Sequence, residues 1–169
     1  GGLALARAAA LAGAAGWRPE RDERGAPRPS AGWHWTNTNT RGLAAALVAP
    51  VPVGIDAEWA HRPRFEAARA RFDRDDPGEL ARAGGRDREH VLLLWTAKEA
   101  VLKLTRAGIA DLGRTSLTAV LGGERLRLES RGEEYEVRAL RWNAHLIAVA
   151  YPPETSPAVE LVALEGAEG

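Results

Sequence analysis

Trp95-Thr96-Ala97-Lys98-Glu99-Ala100-Val101-Leu102-Lys103 is the stretch that most restricts what this chain can fold into. Of 23 basic side chains only Lys98 and Lys103 are lysines, and they flank a glutamate. Arginine and lysine are not interchangeable where a compact, rotatable donor is needed or a proton must move. A helix is well marked here: Gly84-Gly85 interrupts the chain, Asp87 can cap, and Gly108 is placed to close the last turn as the C′ residue. At about 100° per residue, Thr96, Glu99 and Lys103 share one narrow stripe, while Val91, Leu94, Trp95, Leu102 and Thr105 cover another face. Lys98 falls in the mostly apolar arc. It must snorkel or meet an anion there, because an unpaired buried ammonium is very costly. Glu99 and Lys103 also fit an ordinary i,i+4 surface pair worth a few tenths of a kcal/mol, so the helix alone leaves both readings open.

A second stretch narrows the choice. Val51-Pro52-Val53-Gly54-Ile55-Asp56-Ala57-Glu58 alternates with period two, with Val53, Ile55 and Ala57 on one face and Gly54, Asp56 and Glu58 on the other. Two residues of strand rise about 6.6–6.8 Å, so the carboxylates of Asp56 and Glu58 can converge on one ion. An exposed polar strand face is the plain alternative. Against it, like charges side by side repel unless a cation or base sits between them.

Together, G-I-D-A-E and, one helical spacer later, W-T-A-K-E-A-V-L-K resemble the 4′-phosphopantetheinyl transferase superfamily, whose pattern is G-[VI]-D-x-E followed by [FW]-[ST]-x-K-E-[AS]-x-x-K. Each fixed position of both motifs is present, in the right order. The resemblance extends more loosely from about Leu3 to Tyr151. It implies an α+β fold of the monomeric surfactin-synthetase type: two similar halves, each an antiparallel sheet packed with helices, related by a pseudo-twofold. The expected domain is 1–151, with halves of about 1–58 and 59–151 and a tail at 152–169. The cleft between the halves would hold Asp56 and Glu58 from one side and Glu99 from the other.

The implied reaction moves 4′-phosphopantetheine from coenzyme A to a serine of an acyl- or peptidyl-carrier protein and releases 3′,5′-ADP. Fatty-acid, polyketide and nonribosomal-peptide carriers are all open. Asp56, Glu58 and Glu99 offer hard oxygen ligands, which suit Mg²⁺ rather than zinc. Glu99 is the expected base, Lys103 would reach the phosphate oxygens as charge develops, and Lys98 would anchor a phosphate at the cleft wall. Two other readings stand beside this one: a catalytically silent coenzyme A-binding or carrier-docking module, and a Mg²⁺-dependent phosphodiesterase with water as nucleophile.

The rest of the chain is read against that expectation. At 169 residues and net charge +0 it offers one domain's worth of core and no nucleic-acid surface. It has no Cys, hence no disulfide and no thiolate chemistry. Residues 1–16 read as an Ala-rich helix of a cytoplasmic protein rather than a signal peptide, since no basic start precedes the apolar part. Gly25-Ala26-Pro27 stands where the family usually has G-[KR]-P, a turn at the adenine end of coenzyme A, so here a backbone contact is expected without a side-chain charge. Strands are expected at Trp33–Thr38 and Leu43–Ala49, with a turn over Asn37–Gly42. Within it Thr38-Asn39-Thr40 replaces the family's [ST]-H-[ST], whose histidine approaches the 3′-phosphate. Asn39 can donate a neutral hydrogen bond but cannot become cationic, so 3′-phosphate binding is expected to be weaker, or to lean on Arg41 or on residues upstream of Gly1. Residues 61–83 read as one or two helices broken near Asp75–Gly78, and further strands are expected at 117–121, 125–129, 134–139 and 145–151, the last of them central. The tail carries one apolar run, Val159–Leu164.

Overall fold

Alanine and leucine dominate the start of the chain, and these strong helix formers wind into α1 (Gly2–Ala12), which Gly13 closes at φ 67°. The structure is a computed structural model that describes residues 1–63 and 65–163. The Pro- and Gly-rich stretch after α1, read from sequence as a loop, carries a short hairpin of β1 (Glu20–Arg21) and β2 (Pro27–Arg28). Two longer strands follow, β3 (His34–Thr40) and β4 (Leu43–Ala49), paired antiparallel about Arg41-Gly42. The turn expected over Asn37–Gly42 is therefore shorter, and Asn37 and Asn39 lie in the strand opposite Ala46 and Ala44. Thr36 and Thr38 account for this. Both are buried, and β-branched side chains suit a pleated, half-buried surface.

Next come β5 (Gly54–Trp59), α2 (Phe65–Asp75), α3 (Glu79–Arg82) and the long α4 (Arg88–Thr105). The break between α2 and α3 falls at the expected Asp75–Gly78. A 3₁₀ turn at Ile109–Arg114 leads into β6 (Thr115–Gly122), β7 (Arg125–Ser130), β8 (Glu133–Trp142) and β9 (His145–Tyr151). These strands form one antiparallel sheet in the order β5-β9-β8-β7-β6, so the apolar β9 is interior, as expected. The architecture is α+β. The halves expected on either side of Glu58 share this sheet, because β5 pairs with β9, with Asp56 opposite Ala148 and Glu58 opposite Leu146.

α4 lies across one face of the sheet. Val91, Leu94, Ala97, Ala100 and Val101 pack against Leu128, Val137, Ala148 and Ala150, all essentially inaccessible to water. On the opposite face Ile55, Ala57, Ile147 and Val149 meet Leu43, Ala45 and Leu47, while α1 covers Trp35 and Val48. Of the expected tail run Val159–Leu164, Val159 packs on that second face; residue 164 and those after it lie outside the described residues. Among the described residues no helix is long and apolar enough to cross a membrane.

The approach of α4 to β5 is unusually close. A Cβ added at Gly54 would lie 2.0 Å from the Ala100 carbonyl oxygen and 2.8 Å from the Leu104 nitrogen. Gly54 is the one residue type that admits the helix at this distance.

Candidate active site

Helix α4 starts where the sequence marks it. The Asp87 carboxylate accepts from the amides of Glu89 (2.9 Å) and His90 (3.2 Å), which satisfies two donors that have no partner within the helix. Its end differs from expectation. Arg106, not Gly108, takes the left-handed C-terminal position at φ 58°, and Gly108 instead precedes the 3₁₀ turn.

Strand alternation and helix periodicity then bring the two motifs together. β5 turns Gly54 and Asp56 toward α4, while Ile55 and Ala57 face the other way. Asp56 Oδ1 accepts from Thr38 Oγ1 at 3.0 Å and from Lys103 Nζ at 2.8 Å. One buried carboxylate oxygen thus ties β3, β5 and α4 to a single point. Glu58 Oε1 accepts from Arg62 Nη1 in the turn that leaves β5. The Arg62 guanidinium also lies 4.7 Å over the Trp95 ring. Glu99, half-buried on α4, feels both carboxylates. Burial, then the charge of Asp56, raise its pKa above the ordinary glutamate value against the pull of Lys103, and Glu58 raises it further. Glu58 is raised by burial too, with Arg62 pulling down and Asp56 pushing up. The Trp95 indole N–H is buried with no hydrogen-bond partner, yet lies near enough to Glu58 to favour its ionised form.

This donor set suits a hard divalent cation: it offers three carboxylates, and burial followed by neighbouring negative charge disfavours the ionised forms of Glu58 and Glu99, a penalty that a cation would relieve. It is not gathered into a finished cage. Among the described residues no three acidic or histidine groups stand close enough to share an ion. Asp56 and Glu58 are each engaged instead by a side-chain cation, Lys103 and Arg62.

Lys98 departs from expectation. It does not line the groove beside Lys103; its side chain is 3 % exposed, and Nζ donates to Glu79 Oε2 at 2.5 Å, 5.1 Å from the Phe72 ring centroid. Glu79 is fully buried, and its Oε1 accepts from the Leu117 amide at 2.7 Å. Desolvation pulls the Lys98 pKa down and the Glu79 charge offsets part of that shift. The requirement that this lysine meet an anion is met, and the anion is internal. The pair links α3, α4 and β6, so the first lysine of the motif is a structural clamp.

The second lysine opens onto a groove of about 1030 Å³. One wall is the expected Gly25-Ala26-Pro27 turn, and the other is the end of α4 at Leu102, Lys103 and Arg106. Asp22 shapes the turn. Its Oδ1 accepts from the amides of Arg24 and Ala26, both at 2.9 Å, and its Oδ2 pairs with Arg106. Arg21, Arg24 and Arg28 add to the lining, so five cations face two carboxylates, Asp22 and Glu23. These arginines were missed in the sequence reading, although Arg18, Arg21 and Arg24 recur every third residue in that stretch. Thr38 serves Asp56 rather than the groove, which is lined by its neighbours Thr36 and Asn37. Asn39 is exposed and lies beside the backbone of Gly1. Arg41, the sequence-level substitute for a missing cation, stacks over Trp59 at 4.5 Å, and its carbonyl bonds His145; it does not line the groove.

No curated protein matches the chain on comparison. A family model does, that of the 4′-phosphopantetheinyl transferase superfamily, over residues 52–150, which runs from the approach to β5 through α4 to the end of β9. Both motifs and the strands that hold them fall within that span, which is more than half of the chain, and the chain belongs to the 4′-phosphopantetheinyl transferase superfamily.

Proposed function

We propose that this chain transfers 4′-phosphopantetheine from coenzyme A to a serine of an acyl- or peptidyl-carrier protein and releases 3′,5′-ADP. The observation that carries the reading is the 2.8 Å contact between Lys103 and Asp56. It joins the two motifs beside a basic groove that Lys103 also lines.

Each group has a part in that reaction. Arg21, Arg24, Arg28 and Arg106 supply the positive field for the phosphates of coenzyme A, with the Gly25–Pro27 turn as the outer wall. Thr38 and Lys103 hold Asp56 in one orientation. Mg²⁺ held by Asp56, Glu58 and Glu99 would polarise the pyrophosphate and neutralise charge on the leaving 3′,5′-ADP. Glu99 accepts the proton of the carrier serine as its oxygen attacks the β-phosphorus. Lys103 faces the groove and meets charge that develops on the departing phosphate. Water is the nucleophile in the hydrolytic alternative, which needs no carrier at all.

Incubation of the full chain with coenzyme A, Mg²⁺ and a panel of apo-carriers, read by intact mass, tests the reading. A carrier should gain one phosphopantetheine group, and EDTA should abolish the gain. Asp56→Ala should transfer nothing while melting as a folded protein. Phosphopantetheine freed without a carrier would instead assign hydrolysis, and transfer by Asp56→Ala at the wild-type rate under limiting Mg²⁺ would remove the shared-ion assignment.

A further inference from the structure

Arg62 stands between the carboxylate site and a second cavity, and neither motif includes it. It lies in the turn after β5, with its amide bonded to the Trp59 carbonyl at 2.9 Å and its own carbonyl bonded by Arg88 at 3.1 Å. The backbone is therefore held at both its amide and its carbonyl. The side chain pairs with Glu58, stacks on Trp95, and forms one wall of a cavity of about 380 Å³ behind the indole. Arg71 and Arg74 line the same cavity but pair with Asp75, at 3.3 and 3.0 Å. Of the three arginines, Arg62 alone touches the carboxylate trio.

A guanidinium and a divalent cation cannot share one carboxylate without repelling each other. In a site where Glu58 is only 16 % exposed, that repulsion is weakly screened. Ion binding at Glu58 is therefore opposed while Arg62 stays paired there, and the cavity beside Trp95 leaves space into which that side chain can withdraw. Planar stacking on an aromatic ring is available to arginine wherever on the ring it rests, so the stack with Trp95 can persist through the swing.

We infer that Arg62 is a built-in competitor of the divalent cation for Glu58, and that it sets how tightly the ion binds and so how much ion the transferase needs. The inference rests on the reading of Asp56, Glu58 and Glu99 as the ion's ligands. It concerns affinity, not the chemical step.

Titration of the full chain with Mn²⁺, followed by the electron paramagnetic resonance signal of the free ion, tests it without reference to activity. Arg62→Gln and Arg62→Met, two neutral side chains of comparable length, should each bind Mn²⁺ at least fivefold tighter than the wild type. Arg71→Gln removes a charge from the same cavity without touching Glu58 and should change affinity less than twofold. Equal affinity in the wild type and both Arg62 variants overturns the inference and leaves the ion site standing. So does equal tightening by Arg71→Gln, which would assign the effect to the general field. Binding by none of the proteins overturns the ion site and the inference with it, and binding only after Arg62 is replaced supports both. Thermal melts of every variant exclude misfolding as the cause.

Discussion

Lys98 and Lys103 share a helix and differ in everything else. Lys103 is about one-third exposed, faces the groove and bonds Asp56, whereas Lys98 is sealed against Glu79. Replacement should therefore separate rate from stability. Lys103→Arg keeps the charge but brings a larger, directionally fixed fork that cannot give up a proton. Its turnover in the carrier assay should fall at least tenfold, about 1.4 kcal/mol of transition-state stabilisation, with an unchanged melt. Full turnover would make Lys103 a replaceable surface charge. Lys98→Met should do the reverse. It leaves Glu79 buried and charged with only the Leu117 amide, and breaking such a pair costs about 3–5 kcal/mol. Denaturant midpoints measure that loss, and adding Glu79→Gln should recover much of it, because Gln still accepts from the Leu117 amide without a buried charge. A stable Lys98→Met would mean that the pair is not a clamp.

The α4–β5 contact is what turns two motifs into one site. Asp56 is on the strand and Glu99 and Lys103 are on the helix, so their spacing is set by how closely the backbones approach. Gly54, Ala100, Ala148 and Ala150 keep that interface thin. Gly54→Ala would place its methyl 2.0 Å from a backbone carbonyl, with no flexible side chain to yield. The cost should exceed the roughly 1–3 kcal/mol of ordinary overpacking. Any protein that still folds should lose transfer activity, because α4 must move off the strand. A Gly54→Ala protein with a wild-type denaturation midpoint and wild-type transfer would show that the contact is looser than the geometry states.

Assembly of the whole chain supplies a positive field that no single segment carries. The net charge is +0, yet the groove collects cations from the β1–β2 hairpin and from the end of α4, with the Asp22–Arg106 pair joining the two. Coenzyme A binding should accordingly weaken with salt. Raising ionic strength from about 0.01 M to about 1 M shortens the screening length from about 30 Å to about 3 Å, and the Kd should rise at least about tenfold. Dephospho-coenzyme A carries less charge and should show a shallower dependence. Calorimetric titration of both ligands checks this, and salt-independent binding would remove the groove's arginines from the site.

Much of this was legible in the sequence, because it depends on local period. The alternation at Val53–Glu58 placed Asp56 and Glu58 on one face. The 3.6-residue period and the Asp87 cap placed Glu99 and Lys103 on one stripe of a helix that starts where expected. That Lys98 must snorkel or meet an anion was implied by its apolar arc. Its partner was not, since Glu79 lies 19 residues away on a four-residue helix whose place depends on the packing of α2. The strand conformation of Asn37–Thr40 was hidden because polar residues read as a turn until the burial of Thr36 and Thr38 is known. The grouping of Arg21, Arg24, Arg28 and Arg106 into one wall, and of Arg62 with Glu58 and Trp95, follows from how the hairpin and the post-β5 turn fold back on α4. Local pattern assigns a side chain to a face; which faces meet is decided by the close packing of distant segments into one core, and no period in the chain encodes that.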